Sequence, residues 1–233
     1  MKRSLFLMFI TCLFVLIGCS NEPSKKVLRY QENNEIIGKE RDEIIGEYSD
    51  TIYESIDRSN SKATEMMIGP IKGTGEDITP PEGRYTITSV PASDGFPQSG
   101  RVLVYDEDGV LLIDELIDYS FGVGSVTVNL NGTHTVHVDG LDEVLFTPVT
   151  TQISNELSAG IWEVGQDIEP GDYYVYAASD FAFGDLHIFE EGESPKVFEF
   201  LNTSPESKIE LQLKEGQKLR VSGLSLLHFE PKS

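Results

Sequence analysis

Residues 71–80 of this chain return, in order and without gaps, as residues 161–170. Ile71/Ile161, Gly75/Gly165, Asp77/Asp167, Ile78/Ile168 and Pro80/Pro170 are identical. Gly83-Arg84-Tyr85 then matches Gly171-Asp172-Tyr173, and the run from Gly100 to Glu107 answers that from Gly184 to Glu191. Val126 to Pro148 lies over Ile209 to Pro231 at a constant offset of 83, sharing Val138/Val221, Gly140/Gly223, Leu141/Leu224, Phe146/Phe229 and Pro148/Pro231. Kept order and kept spacing mean duplication, so whatever fold the first copy adopts the second must adopt also. The fold must also be small enough to be built twice in about 80 residues each.

Within each copy the apolar residues alternate with polar ones, the period of half-buried strands. Val102 and Val104, then Val126, Val128 and Leu130, then Val136 and Val138 mark the first copy. Leu186 and Ile188, Ile209, Leu211 and Leu213, then Leu219 and Val221 mark the second. Asp108-Gly109, Asn131-Gly132 and Glu215-Gly216 punctuate the runs as turns. The expected fold class is mostly β, with two tandem small antiparallel β-sandwich modules over 67–149 and 150–233, joined through the polar segment 150–159. Cores this small favour packing of one module on the other. Ahead of them, 19–66 reads as a tether followed by an amphipathic helix over about 27–56. Ile37, Ile44, Tyr48 and Ile52 form its stripe, and Gly38 and Gly46 weaken it. Such a helix serves either as a stalk or partner-binding element, or folds back on the modules.

Residues 1–18 have the order of a secretory signal: Lys2 and Arg3, a thirteen-residue apolar run from Leu5 to Ile17, then Gly18. That run is shorter than the about 20 residues a membrane span needs. Leu16-Ile17-Gly18-Cys19 resembles the lipobox of bacterial lipoproteins. The resemblance implies cleavage before Cys19, diacylglycerol and palmitate on its sulfur and new amino terminus, and residence on the extracytoplasmic face of the cell membrane. The shared opening Gly-x-Asp-Ile-x-Pro-Gly-x-Tyr, complete at 165–173 and interrupted by Pro81-Glu82 in the first copy, resembles a segment of uncharacterised exported lipoproteins of Gram-positive bacteria. It implies a fold relationship and no activity, since turn and strand formation account for every residue in it.

Cys12 falls in the signal and Cys19 is taken by lipid, so no thiol remains for a disulfide, a nucleophile or a zinc site. Cleavage removes two cations and no acid, which takes the formal net charge from −21 to −23, 16 cations against 39 acids. That balance argues against a nucleic-acid backbone as partner and against the protein lying flat on anionic lipid. His134 and His137 are three apart in a strand and point to opposite faces; His187 and His228 make a site only if they meet across the sheet. Asp106-Glu107-Asp108-Gly109 fails the spacing of a calcium loop, and Glu190-Glu191-Gly192-Glu193 repeats it as an acidic hairpin tip. Trp162, with Tyr173, Tyr174, Tyr176, Phe181 and Phe183, is either core or a platform for sugar or protein. The expected function is therefore a non-enzymatic, membrane-anchored binding module, with no cofactor, no metal and no catalytic residue. Its expected partners are the membrane through Cys19 and a cell-surface protein or wall polymer. A wall or glycan hydrolase using paired carboxylates and a cation-dependent adhesion module are the alternatives.

Overall fold

The structure, a computed structural model, describes residues 23–91, 98–178, 183–201 and 208–232. It is mostly β and of sandwich type, as the alternation predicts. The first repeat supplies β2 (Met66–Ile68), β3 (Glu76–Ile78), β4 (Gly83–Ser89), β5 (Ser99–Tyr105), β6 (Leu111–Asp118), β7 (Ser125–Leu130), β8 (Thr135–Asp139) and β9 (Val144–Pro148). The second supplies β10 (Glu156–Leu157), β11 (Gly160–Glu163), β12 (Gly171–Ala177), β13 (Phe183–Phe189), β14 (Lys196–Leu201), β15 (Ile209–Leu213), β16 (Lys218–Ser222) and β17 (Leu227–Pro231). Hydrogen-bonded neighbours run β2-β9-β4-β7 and β3-β8-β5-β6 in one repeat, and β10-β17-β12-β15 and β11-β16-β13-β14 in the other. The pairing scheme is thus copied along with the sequence.

Packing is copied too. Tyr85 meets Phe146 edge-on at 6.2 Å, and Tyr173 meets Phe229 edge-on at 5.9 Å. Each tyrosine hydroxyl donates to a carbonyl four residues upstream, Tyr85 to Pro81 and Tyr173 to Glu169. The shared motif is therefore a buried aromatic with its polar end satisfied, which a small core needs twice.

The two repeats are not merely tethered. One sheet of each fuses edge to edge into a single nine-stranded sheet in the order β1-β14-β13-β16-β11-β7-β4-β9-β2, where β1 is the short strand Glu35–Ile36 ahead of the repeats. All its pairings are antiparallel except the join between β7 and β11, which is parallel at Gly160 and Thr127. Gly160 sits at φ +143°, and a Cβ there would lie 2.0 Å from the Thr127 carbonyl oxygen. Only glycine lets the backbones meet this closely. Gly160→Ala is expected to cost about 1–3 kcal/mol by forcing β7 and β11 apart; an unchanged urea midpoint would show that the join contributes nothing.

The segment expected as one amphipathic helix over 27–56 is broken. It forms α1 (Lys25–Asn33), the two-residue strand β1 (Glu35–Ile36), α2 (Lys39–Ile45) and a 3-10 turn at Asp50–Tyr53. Asn34 caps α1 in the left-handed region at φ 52°, and Gly38 and Gly46 flank α2 at φ 72° and 62°. The two glycines noted as helix-weakening are thus its boundaries. β1 pairs with β14, extending the fused sheet, and Ile52 is buried in the first repeat's core. The stretch from Glu35 to Tyr53 thus lies against the repeats.

Candidate functional site

Fusing two sandwiches covers a sheet face that alternation alone would leave to water. On β13 and β16, Leu186, Ile188, Leu219 and Val221 face the second repeat's own core. The intervening His187, Phe189, Lys218 and Arg220 are also buried, at 3%, 0%, 4% and 8% exposure. Phe189 belongs to the first repeat's core cluster and packs on Tyr48 at 5.1 Å. The polar members have been forced to find partners inside the seam.

Two buried polar groups result. In the first, Asp167 (1% exposed) accepts from Arg58 Nη1 at 3.1 Å, Arg58 Nη2 at 3.3 Å and the Glu163 amide at 2.9 Å. Arg84 Nη2 stands 3.1 Å from the same carboxylate, while its guanidinium lies 4.7 Å from the centre of the Trp162 ring. Lys218 closes the group on Glu163 at 2.7 Å. In the second, Arg220 donates from Nη1 to the Leu112 carbonyl and from Nη2 to His187 Nδ1, at 3.1 and 2.7 Å. Burial and then the Arg220 charge push His187 down to about 3, so it is neutral and able to accept. Glu115 lies on the inward face of β6 between Ile113 and Ile117; burial pushes its carboxyl up to about 7. Its Oε2 accepts from the Gly223 amide at 3.0 Å, and Oε1 has no partner.

Gly223 is also a wall of the most site-like concavity at the seam, a cleft of about 440 Å³. Each repeat contributes one loop. The first gives Tyr119 to Gly122, and the second gives Gly223 to Leu226 together with Ala177 and Phe183. Tyr119, Phe121 and Phe183 are 88%, 92% and 71% exposed. The first loop is held in shape from below. Asp118 accepts from the Ser120 and Phe121 amides, both at 2.7 Å, which holds its carboxyl below the usual range. The Val123 amide donates to the Leu116 carbonyl at 2.8 Å, under Gly122. The second loop is fixed by Glu115 on Gly223 and by the Ala178 amide on the Leu226 carbonyl at 3.0 Å. Presented aromatics on fixed backbone make a recognition surface, and the volume falls in the about 300–1,000 Å³ range of ligand pockets.

The residues singled out from sequence scatter. His134 is buried and His137 holds Asp77 at 2.6 Å from Nδ1. His187 is in the seam, whereas His228 is in the other sheet of the second repeat, stacked on Tyr176 at 5.2 Å, so the two do not form a site. Asp106 spends its carboxylate on the Asp108 and Val110 amides of its own turn. Glu190 spends its own on Lys214 and Gln217. Among the described residues no group of three or more His, Cys, Asp or Glu is placed to hold a metal ion. Of the described members of the aromatic cluster, Tyr173 is core, Trp162 backs the buried arginine, and Phe183 reaches the cleft. Cys19, the signal over 1–18 and Phe181 lie outside the described residues. Sequence reasoning passed over Tyr119 and Phe121. The available signal was two aromatics alternating with Ser120 and Gly122 in a turn, where no core exists to bury them. It passed over Glu115 too, although a carboxylate at the inward position of Ile113-x-Glu115-x-Ile117 breaks the alternation.

Comparison with protein-family models, with curated proteins and with solved structures finds no match to this chain.

Proposed function

We propose that this chain is a lipid-anchored, extracytoplasmic binding protein that takes neutral saccharide units of a wall polymer in the cleft between its two repeats. The observation that carries this reading is the trio Tyr119, Phe121 and Phe183, held open to solvent over a fixed backbone. The lining also bears on ligand type. Among the described residues it holds no charged side chain, in a chain where charged residues make up 24%. Aromatic faces beside Ser120, Ser225 and backbone amides suit a ring that is apolar on its faces and hydroxylated at its edge. A hydrolase of the paired-carboxylate kind needs two acids flanking the bond it breaks, and the described residues of the cleft lining supply none. The anchor rests on the lipobox-like residues ending at Cys19; a Cys19→Ala chain is expected to leave the membrane fraction.

The test is binding of the purified mature protein to insoluble wall polymer, with Tyr119→Ser/Phe121→Ser as the control. Each exposed ring lost from a binding surface typically costs about 1–2 kcal/mol, so the double variant should bind at least about tenfold more weakly. Equal retention of both proteins would remove the cleft from the reading. Release of reducing ends by the wild type would replace binding with hydrolysis.

A further inference from the structure

Charge is distributed unevenly along this acidic chain. Residues 23–46 hold five cations, Lys25, Lys26, Arg29, Lys39 and Arg41, against five acids. Residues 47–233 hold eleven cations against thirty-three acids. With Glu22 added, residues 20–46 carry a net charge of only −1, five cations against six acids, and α1 itself, with Lys25, Lys26, Arg29 and Glu32, is positive.

α1 is attached to the body by one side only. Tyr30 donates to Glu199 at 2.5 Å, and three residues on, Asn33 brackets the backbone of Glu210, donating to its carbonyl at 2.8 Å and accepting from its amide at 2.6 Å. Lys26 and Arg29 ion-pair with Glu40 and Glu35 on the flanking elements. No residue of α1 is buried, and Val27 and Leu28 stay 43% and 40% exposed. Lys25, Leu28 and Glu32, three and four apart, share an outward strip, and Lys25 makes no ion pair among the described residues. A helix that shows apolar and cationic side chains away from the body is unfinished as a surface.

Chain length names what finishes it. Ser24 caps α1, and four residues lie between Cys19 and Ser24, so that Ser24 is the fifth residue after Cys19. Fully extended, five residues reach at most about 18 Å. If Cys19 carries lipid at the bilayer surface, the amino-terminal turn of α1 cannot leave the headgroup region by more than that. We infer that α1 docks on the anionic headgroup surface of the membrane that holds Cys19, with Leu28 entering the interface and Lys25 facing lipid phosphate, while the half-exposed Lys26 and Arg29 exchange their pairs with Glu40 and Glu35 for lipid phosphate. This rests on the anchor proposed above. Lipid and helix together then form a two-point attachment, and the acidic remainder of the chain is repelled from the same surface.

The experiment uses mature full-length protein, its acylation checked by intact mass, in vesicles of phosphatidylglycerol and phosphatidylcholine. A nitroxide is placed by Leu28→Cys or, on the exposed strand β2, by Met67→Cys, and collisions with oxygen and with a water-soluble nickel complex are compared. The expected result is an oxygen-to-nickel ratio several-fold higher at position 28 than at position 67. It should fall to the position 67 value when Lys25, Lys26 and Arg29 are all changed to glutamate, or when the vesicles are phosphatidylcholine alone. Acylated protein whose position 28 is as water-exposed as position 67 overturns the docking and leaves the anchor standing. An intact mass without acyl chains overturns the anchor, and the docking falls with it.

Discussion

Asp167→Ala is expected to remove about 3–5 kcal/mol of folding stability, while Asp77→Ala, the same position of the other repeat, is expected to change it by no more than about 1 kcal/mol. The sequence motif is identical at the two sites, and only the surroundings differ. The Asp77 side chain is 70% exposed and touches one partner, His137. That of Asp167 is 1% exposed and stands against two guanidinium groups, Arg58 and Arg84. Removing it leaves both cations buried with Glu163 as the one remaining acid nearby among the described residues, and burial already pulls the Arg84 pKa down to about 10. A domain of this size has about 5–15 kcal/mol in hand, so the loss should appear as a large fall in urea midpoint. Asp167→Asn keeps the amide contact to Glu163 and should fall between. Equal effects at positions 77 and 167 would mean that the seam carries no electrostatic burden.

The second large effect is a pH dependence isolated by Glu115→Gln. Burial raises the Glu115 carboxyl from 4.5 to about 7. Between those values the folded chain keeps a proton that the unfolded chain has released. The associated stability is therefore complete below about pH 4.5 and lost as pH rises through 7. Asp185, pushed up to about 6 chiefly by burial, slopes the same way, whereas His187, pushed down to about 3, slopes the opposite way below 6.5. These two persist in the variant and cancel when variant and wild type are compared. Glutamine cannot ionise, so its stability relative to wild type should rise by on the order of 3 kcal/mol between pH 4.5 and pH 8. Urea titrations of both proteins at the two pH values measure it, and parallel behaviour would show that Glu115 is not held protonated.

The repeat, its strands and its turns were legible because each depends on near neighbours in the chain. Alternation over Val126, Val128 and Leu130 needs only a pleated backbone and a core on one side. Gly83-x-Tyr85 and Gly171-x-Tyr173 each built the same aromatic pair. The broken helix was half legible: Gly38 and Gly46 were visible as weak points, but a stripe of apolar residues cannot say whether a glycine is tolerated inside a helix or ends it. That depended on β14 offering an edge to Glu35 and Ile36.

What sequence determined by itself, then, is the unit: a small sandwich, made twice, whose buried faces can be marked residue by residue. What only the tertiary structure decided is the relation between the units. Lys218, Arg220 and His187 occupy the positions that alternation assigns to water, and they are buried because a second copy covers them. Burial of a strand's outer face is a property of the partner surface and not of the strand's own period. The seam's ion pairs, the raised Glu115 and the cleft between one loop of each repeat all follow from that contact.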